Sequence, residues 1–393
     1  MTELPLRGVR VLDLSRVLAG PFATMVLADL GAEVVKVEPP DGDETRAWGP
    51  PFWGEPNAGL SAYFASVNRN KRAIAIDLKT DAGRVLLDRL ADEADLLVHN
   101  FRPGTAARLG LDAERLARDH PDLVVAAVGG FPGTGRDRDR PAYDLLAQAL
   151  SGLMSVTGDP GGEPAKVGVA VLDIIAGLEV ALGAVAALVG SHRTPVRRVE
   201  ASLVEVGVTS LINVLANQLA TGVEAQRHGS AHPNIVPYQS FATRDGHLVV
   251  AVGNDAQFAR LLAALGLEDP DARYATNAGR LESREQLIPW LAEAIKRRGR
   301  DELVAALEAV DVPAGPVLAV SGAVAAMERA HDGAWLVIAD GMRLAPSPLH
   351  IDGERLPLRR PPPRLGEHTD VILGELGFAG EEIARLRTDG VVR

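Results

Sequence analysis

Short apolar runs alternate along the first half of the chain with longer stretches in which apolar positions recur every third or fourth residue. Residues 9–14 (VRVLDL), 33–38 (EVVKVE), 73–77, 96–99 and 123–128 read as strands, and the patterns at about 20–30, 80–94 and 112–119 read as helices. Gly20 and Pro21 open the first helix and Gly31 closes it. Right-handed crossovers between such strands build an open, mostly parallel, doubly wound sheet with helices on both faces, an α/β fold of Rossmann-like kind. Ligands of these sheets bind beyond the carboxyl ends of the strands, so the loops after Leu14, Glu38, Asp77, His99 and Val128 are where binding is expected.

Residues 166–189 (KVGVAVLDIIAGLEVALGAVAALV) carry only two charges after Lys166, those of Asp173 and Glu179. Residues 167–172 read as a short buried strand and 174–189 as a long apolar helix, which places Asp173 at the helix N-cap. A carboxylate there accepts backbone N–H groups at the positive end of the helix dipole and is expected to stay ionised; a purely structural cap is the plainer role. The run is long enough to resemble a membrane span, but its two acids and Gly168, Gly177 and Gly183 predict a close-packed core helix.

Further along, a helix is expected over 142–154, a last strand over 197–201 and a helix over 203–221. The texture then changes. Strands at 239–243 and 247–252 joined through Arg244, Asp245 and Gly246, with helices at 256–265, 283–298 and 301–309, predict a second, smaller α+β domain. The expected organisation is a large domain over 1–205 completed by 330–393, a linker helix over 206–224 and a small domain over 225–325. The tail ends in helical patterns at 367–376 and 380–388.

With 393 residues, 47% of them hydrophobic, the chain can bury a core of ordinary size. Only 4% are aromatic, which suits helices on a parallel sheet better than a β-sandwich. Cysteine is absent, which excludes disulfides, thiolate nucleophiles and cysteine-ligated metals. The net charge of −11, from 41 basic and 52 acidic residues, weighs against nucleic acid or an anionic membrane as partner. The first residues lead into a strand without a signal-peptide pattern, and a cytoplasmic location is expected.

The loop after the first strand, residues 15–21 (SRVLAGP), has no GxGxxG, so the dinucleotide fingerprint is missing even though Glu38 ends the second strand where a ribose-binding acid would stand. Asp43, Thr45 and Arg46 follow Glu38; Asn70, Lys71 and Arg72 precede the third strand; Asn100, Phe101 and Arg102 follow the fourth, with Arg108 a turn later. Each arginine alone reads as a solvated side chain. Together these cations and amides converge on one edge of the sheet and suit a phosphorylated, nucleotide-like ligand. Residues 131–140 (FPGTGRDRDR) read as a charged surface loop.

Local strings then add a resemblance. VRVLDLSRVLAGP (9–21), GAEVVKVE (31–38), GDETR (42–46), NKRAIAIDL (70–78), NFRPGTAARLG (100–110), YDLLAQ (143–148), the segment around Asp173, DVPAGP (311–316) and PPPRLGEHT (361–369) together resemble the class III CoA-transferases, the CaiB/BaiF family. The resemblance implies an interlocked homodimer and a coenzyme A site on the Rossmann-like domain. Val17 and Leu18 would line that site, and Ile76, Asp77, Leu78, Lys79, Asn100, Phe101 and Arg102 would border the adenosine and ribose. Arg108 would hold phosphate, Tyr143 and Asp144 would lie beside the CoA, and Asp173 matches the catalytic aspartate. Gly253 and Asn254 match a loop that closes over the site in relatives; an ordinary strand-to-helix turn is the alternative. Pro39 and Pro141 stand where some relatives carry a basic residue, which shifts the expected phosphate contacts to Arg46, Arg108 or Arg140.

The activity so implied is transfer of CoA from an acyl-CoA to a free carboxylic acid, with Asp173 as nucleophile forming a mixed anhydride and then an aspartyl-CoA thioester. CoA and acyl-CoA are substrates, and no permanently bound cofactor and no metal are expected. Small dicarboxylates such as succinate are the acids suggested by analogy. Racemases of the same family pair the aspartate with a histidine at the position of Tyr143, and tyrosine is a poor base near neutral pH. A nucleotide-binding protein without CoA chemistry is the reading from another class; an acid kept in an apolar run counts against it.

Overall fold

The computed structural model describes residues 3–54, 60–190, 197–269 and 272–393. The alternating pattern folds as strands β1 (Arg10–Asp13), β2 (Glu33–Glu38), β3 (Lys71–Ala75), β4 (Leu96–His99), β5 (Val124–Gly129) and β6 (Arg198–Ser202). They make one six-stranded sheet in the order β3-β2-β1-β4-β5-β6, parallel at every pairing. The order reverses between β1 and β4, so their carboxyl ends flank the switch point where such sheets bind ligands.

Helices α1 (Ala19–Asp29), α2 (Asp81–Asp92), α3 (Pro103–Arg108), α4 (Asp144–Leu150), α5 (Val171–Gly190) and α6 (Leu203–Thr209) belong to the same compact unit. On one face of the sheet, Leu12, Val35, Ile74 and Leu97 pack with Leu86, Leu87 and Leu90 of α2 and with Ile372, Leu373 and Ile383 of two C-terminal helices (Thr369–Glu375 and Gly380–Thr388), so the tail completes this core. Against α1 lies α5, whose buried stripe is Leu172, Ala176, Gly177, Val180, Ala181, Ala184 and Ala187. The approach is close because Gly177 has no side chain: a Cβ there would lie 2.6 Å from the carbonyl oxygen of Ala19. Helix α5 is the one helix among the described residues long and apolar enough to cross a membrane; one stripe of it is buried, and Leu178, Leu182 and Val189 are exposed.

Several boundaries differ from the sequence reading. β3 ends at Ala75 because Ile76 and Asp77 turn to the C-terminus, where Ile76 bridges Val392 and the Asp77 N–H meets the Val391 carbonyl at 2.8 Å. Residues 167–170 form no strand, since the Val167 N–H is taken at 2.9 Å by the Gln148 side chain rather than by a neighbouring strand. The helix expected over 142–154 stops at Leu150, ahead of Gly152 with φ +86°. The one expected over 203–221 breaks after Thr209 and resumes at Ile212, whose φ is +41°.

The second unit comprises Leu153–Lys166 and Ile212–His331. Its strands β7 (Tyr238–Ala242), β8 (His247–Ala251) and β9 (Ala314–Pro316) form an antiparallel sheet in the order β9-β8-β7. Helices α7 (Asp255–Leu265), α8 (Arg284–Lys296) and α9 (Arg300–Glu308) supply Phe258, Leu261, Leu291 and Leu303 to a core with Phe241, Leu248 and Val250. Residues 153–166, expected in the large domain, belong to this unit: the Arg227 guanidinium donates to the carbonyls of Ser155, Asp159 and Gly162.

Candidate active site

The switch point is built on buried charge. At the end of β1, Asp13 is wholly buried and accepts from Lys71 Nζ at 2.9 Å, from Thr24 Oγ1 at 2.7 Å and from the Ser15 hydroxyl. Lys36, also fully buried, donates to the Ser15 carbonyl at 2.9 Å and lies 3.2 Å from Asp43. Burial alone would raise the Asp13 carboxyl, but Lys71, Lys36 and Ser15 hold it far below the usual carboxylate range. Burial lowers the Lys71 ammonium to about 8 against the pull of Asp13. Asp43 also receives the Val17 N–H at 3.3 Å. Val17 sits in the left-handed region, φ +68°, a conformation that a β-branched residue adopts only when its surroundings impose it. The charge network is what imposes it here, and so fixes the loop after β1.

That loop is tied to the loop after β4. The Arg16 N–H donates to Asn100 Oδ1 at 2.9 Å, and Asn100 Nδ2 donates back to the Arg16 carbonyl at 2.6 Å. Phe101 stacks on His99, ring centres 6.1 Å apart, and carries the Arg16 guanidinium over its ring at 5.3 Å. The His99 imidazole is held neutral: burial, with Arg198 nearby, lowers it to about 4.

Between these loops and the ends of β5 and β6 lies a cavity of about 900 Å³. Val17, Leu18, Asn100, Phe101, Arg102, Tyr143 and Asp173, from four separate stretches of sequence, line it together, with Arg16, Arg138, Arg140 and Arg198 adding positive charge. Arg140 stacks over Phe131 at 4.6 Å, and Tyr143, the N-cap of α4, is 63% exposed. Among the described residues no group of three or more His, Asp or Glu side chains is placed to hold a metal ion.

Asp173 is the third residue of α5, in its first turn rather than at its N-cap. Its carboxyl is not held in the ordinary carboxylate range that the cap reading expects. Burial, reinforced by the charge of Asp144, raises it to about 7. Asp144, at the start of α4, does not line the cavity; its Oδ1 accepts the Leu172 N–H at 2.9 Å and its Oδ2 the Gln148 amide at 2.6 Å. Tyr63 is pushed up to about 12 by burial and by the carboxylates of Asp173, Asp144 and Asp43.

Other residues singled out in the sequence lie elsewhere. Arg46 is committed to Glu38, with Nε and Nη2 at 2.8 and 2.7 Å from its two carboxylate oxygens, and to the Pro363 carbonyl at 3.2 Å. Its guanidinium also stacks on Phe64 at 3.8 Å. Neither it nor Glu38 is left to meet a phosphate or a ribose. Ile76 is fully buried and Leu78 packs on the core, while Asp77 accepts the Lys79 N–H at 3.0 Å at the far edge of the sheet. Arg108 is exposed at the end of α3, bonded to Thr105 Oγ1 at 3.0 Å. Gly253 and Asn254 lie in the second unit, where Asn254 caps α7 by accepting the Gln257 N–H at 2.9 Å and the Gly253 N–H donates to Gln257 Oε1 at 2.7 Å. The sequence reading passed over Asp13, Lys36 and Gln148 because each is a lone polar residue in an apolar pattern.

The model of CoA-transferase family III matches this chain over residues 6–369. The chain is 40% identical to a succinate–glutarate CoA-transferase of Agrobacterium fabrum, over 95% of this chain and 96% of that one. It is 38% identical to the human succinyl-CoA:glutarate CoA-transferase, over 99% of this chain and 90% of that one. Among solved structures, a CaiB/BaiF family protein from Brucella suis superposes with a TM-score of 0.85 at 39% identity, covering 95% of this chain and all of that one (100%).

Proposed function

The chain belongs to CoA-transferase family III, and on that premise we propose that it moves CoA from succinyl-CoA to a short dicarboxylic acid such as glutarate through covalent intermediates on Asp173. The observation that carries the reading is the Asp173 carboxyl itself, opening into an arginine-lined cavity at the switch point and raised to about 7. A carboxylate is a weak nucleophile, and a raised pKa makes its ionised form a stronger one while leaving much of it ionised near neutral pH.

The reaction needs no outside proton or electron. An Asp173 oxygen attacks the thioester carbonyl, the C–S bond breaks, and CoA leaves as thiolate from a mixed anhydride. The thiolate attacks Asp173 Cγ, the anhydride C–O bond breaks, and the first acid departs as carboxylate from an aspartyl-CoA thioester. The acceptor carboxylate attacks Cγ and expels the thiolate, which then takes the acyl group and frees Asp173. Arg16, Arg102 and Arg140 supply positive charge for the phosphates of CoA.

A homodimer is part of the proposal. Leu145, Leu178, Leu182 and Val189 are exposed large apolar side chains on α4 and α5, a surface that a second copy would cover. The test of the activity is to incubate the protein with succinyl-CoA and single free acids and to separate the thioesters. Glutaryl-CoA appearing mole for mole with succinate supports the reading. Release of free CoA with every acid contradicts it.

A further inference from the structure

Asp144 is buried, yet it faces α5 rather than the cavity. Both its oxygens act as acceptors, Oδ1 for the Leu172 N–H at 2.9 Å and Oδ2 for the Gln148 amide at 2.6 Å, which is the bonding of an ionised carboxylate. Gln148 is fully buried too, and its Oε1 accepts the Val167 N–H at 2.9 Å. Two side chains of α4, one turn apart, thus hold the segment that leads into α5 at both ends. A helix start has free N–H groups that need such partners, and here the acceptor comes from another helix. The residue after Leu172 is Asp173.

We propose that Asp144 is a positioning residue for Asp173: it fixes the first turn of α5 through Leu172, and its charge disfavours the ionised resting Asp173 relative to the neutral acylated forms. This rests on the reading of Asp173 as the nucleophile. The resting carboxylate and Asp144 repel each other in a buried setting. The mixed anhydride and the aspartyl-CoA thioester carry no charge on Asp173, so the repulsion disappears when either forms. The same contact that orients the nucleophile therefore favours its acylation. Tyr63, on the helix Ala62–Ser66, is the other titratable group that interacts with both carboxyls, and it is uncharged at neutral pH. Arg16, Arg102, Arg138, Arg140, Arg198, Asp112, Glu114, Glu200 and Glu205 are the other charged residues lining the cavity that Asp173 enters.

The test follows the carboxyl carbon of Asp173 by NMR in protein labelled with ¹³C-aspartate, assigned by its loss in Asp173→Asn. In the unchanged protein the signal titrates near 7. Asp144→Asn keeps an oxygen for Leu172 and removes the charge, so the midpoint falls by about half a unit or more, and labelling of Asp173 at limiting succinyl-CoA above about pH 8, where the carboxyl is ionised in both proteins, falls about threefold with it. An unmoved midpoint overturns the electrostatic half of the proposal. Gln148→Ala leaves both carboxyls in place and needs no tolerance of Asn at Asp144. It speeds amide exchange over residues 167–173 about tenfold, the worth of one buried hydrogen bond; unchanged exchange overturns the positioning half. Neither readout needs turnover. A chain that shifts in both ways yet never acylates would keep Asp144 in its place beside Asp173 and sink the nucleophile reading instead.

Discussion

Arg16 and Asn100 hold each other across the switch point of the sheet through two hydrogen bonds, Arg16 N–H to Asn100 Oδ1 at 2.9 Å and Asn100 Nδ2 to the Arg16 carbonyl at 2.6 Å. One residue follows β1 by a short loop and the other follows β4 directly. The pair therefore converts a point of sheet topology into a fixed cavity wall. Asn100→Ala removes both bonds, each worth about 1 kcal/mol, and is expected to raise KM for the acyl-CoA roughly tenfold. Steady-state kinetics check this, and a KM within twofold of the parent would count against the wall.

The Asp13–Lys71 pair sits beneath that wall, both side chains fully buried and 2.9 Å apart. Removing one partner of a buried pair leaves an uncompensated charge, at a cost of about 3–5 kcal/mol. Asp13→Asn, which takes the carboxylate from Lys71 while Lys36 keeps Asp43, is expected to lower the thermal midpoint by about 6 °C or more. An unchanged melting curve would contradict the account of the network.

Asp173 is predicted to destabilise the fold it serves. Its folded-state carboxyl, raised to about 7, holds a proton that the unfolded chain releases near its ordinary value of 3.8. Between those values the folded state binds more protons, so stability falls as pH rises through the window, by an order of 4 kcal/mol at its end. Asp173→Asn removes that cost. The variant should melt several degrees above the parent at pH 8, with the gap closing towards pH 5, and a lower midpoint at pH 8 would refute the sign.

The same titration governs the chemistry. Below about 7 the nucleophile is protonated, so acylation at subsaturating succinyl-CoA should fall tenfold for each unit of pH under 6 and level off above 8. Rapid-mixing measurement of the first acyl transfer reads this directly. A rate flat from pH 5 to 8 would mean that another group limits the step.

How much of this was legible in the sequence differs from residue to residue. Strands such as VRVLDL and EVVKVE declare themselves as short runs built on valine and leucine, and an open, mostly parallel sheet follows from right-handed crossovers between them. Val17, Leu18, Asn100, Phe101, Arg102, Tyr143 and Asp173 were all picked out by the strings around them, and they share one cavity. What stayed hidden depends on distance between elements. Asp13 and Lys36 look like the polar members of strands until Lys71 and Asp43 are seen beside them. Arg46 reads as a free cation because nothing in its spacing shows Glu38 and the Pro363 carbonyl closing around it. The left-handed Val17 is imposed by contacts, since its side chain argues against that conformation. Asp144 was placed beside the ligand by its neighbour Tyr143, whereas its side chain turns the other way, to Leu172.

The most direct test of the central claim is to mix the protein with succinyl-CoA, add hydroxylamine, digest, and weigh the peptide that contains Asp173. The account predicts a hydroxamate on Asp173, formed only when the thioester is present and absent from Asp173→Asn. An unmodified Asp173 peptide under conditions where CoA is being transferred would contradict it.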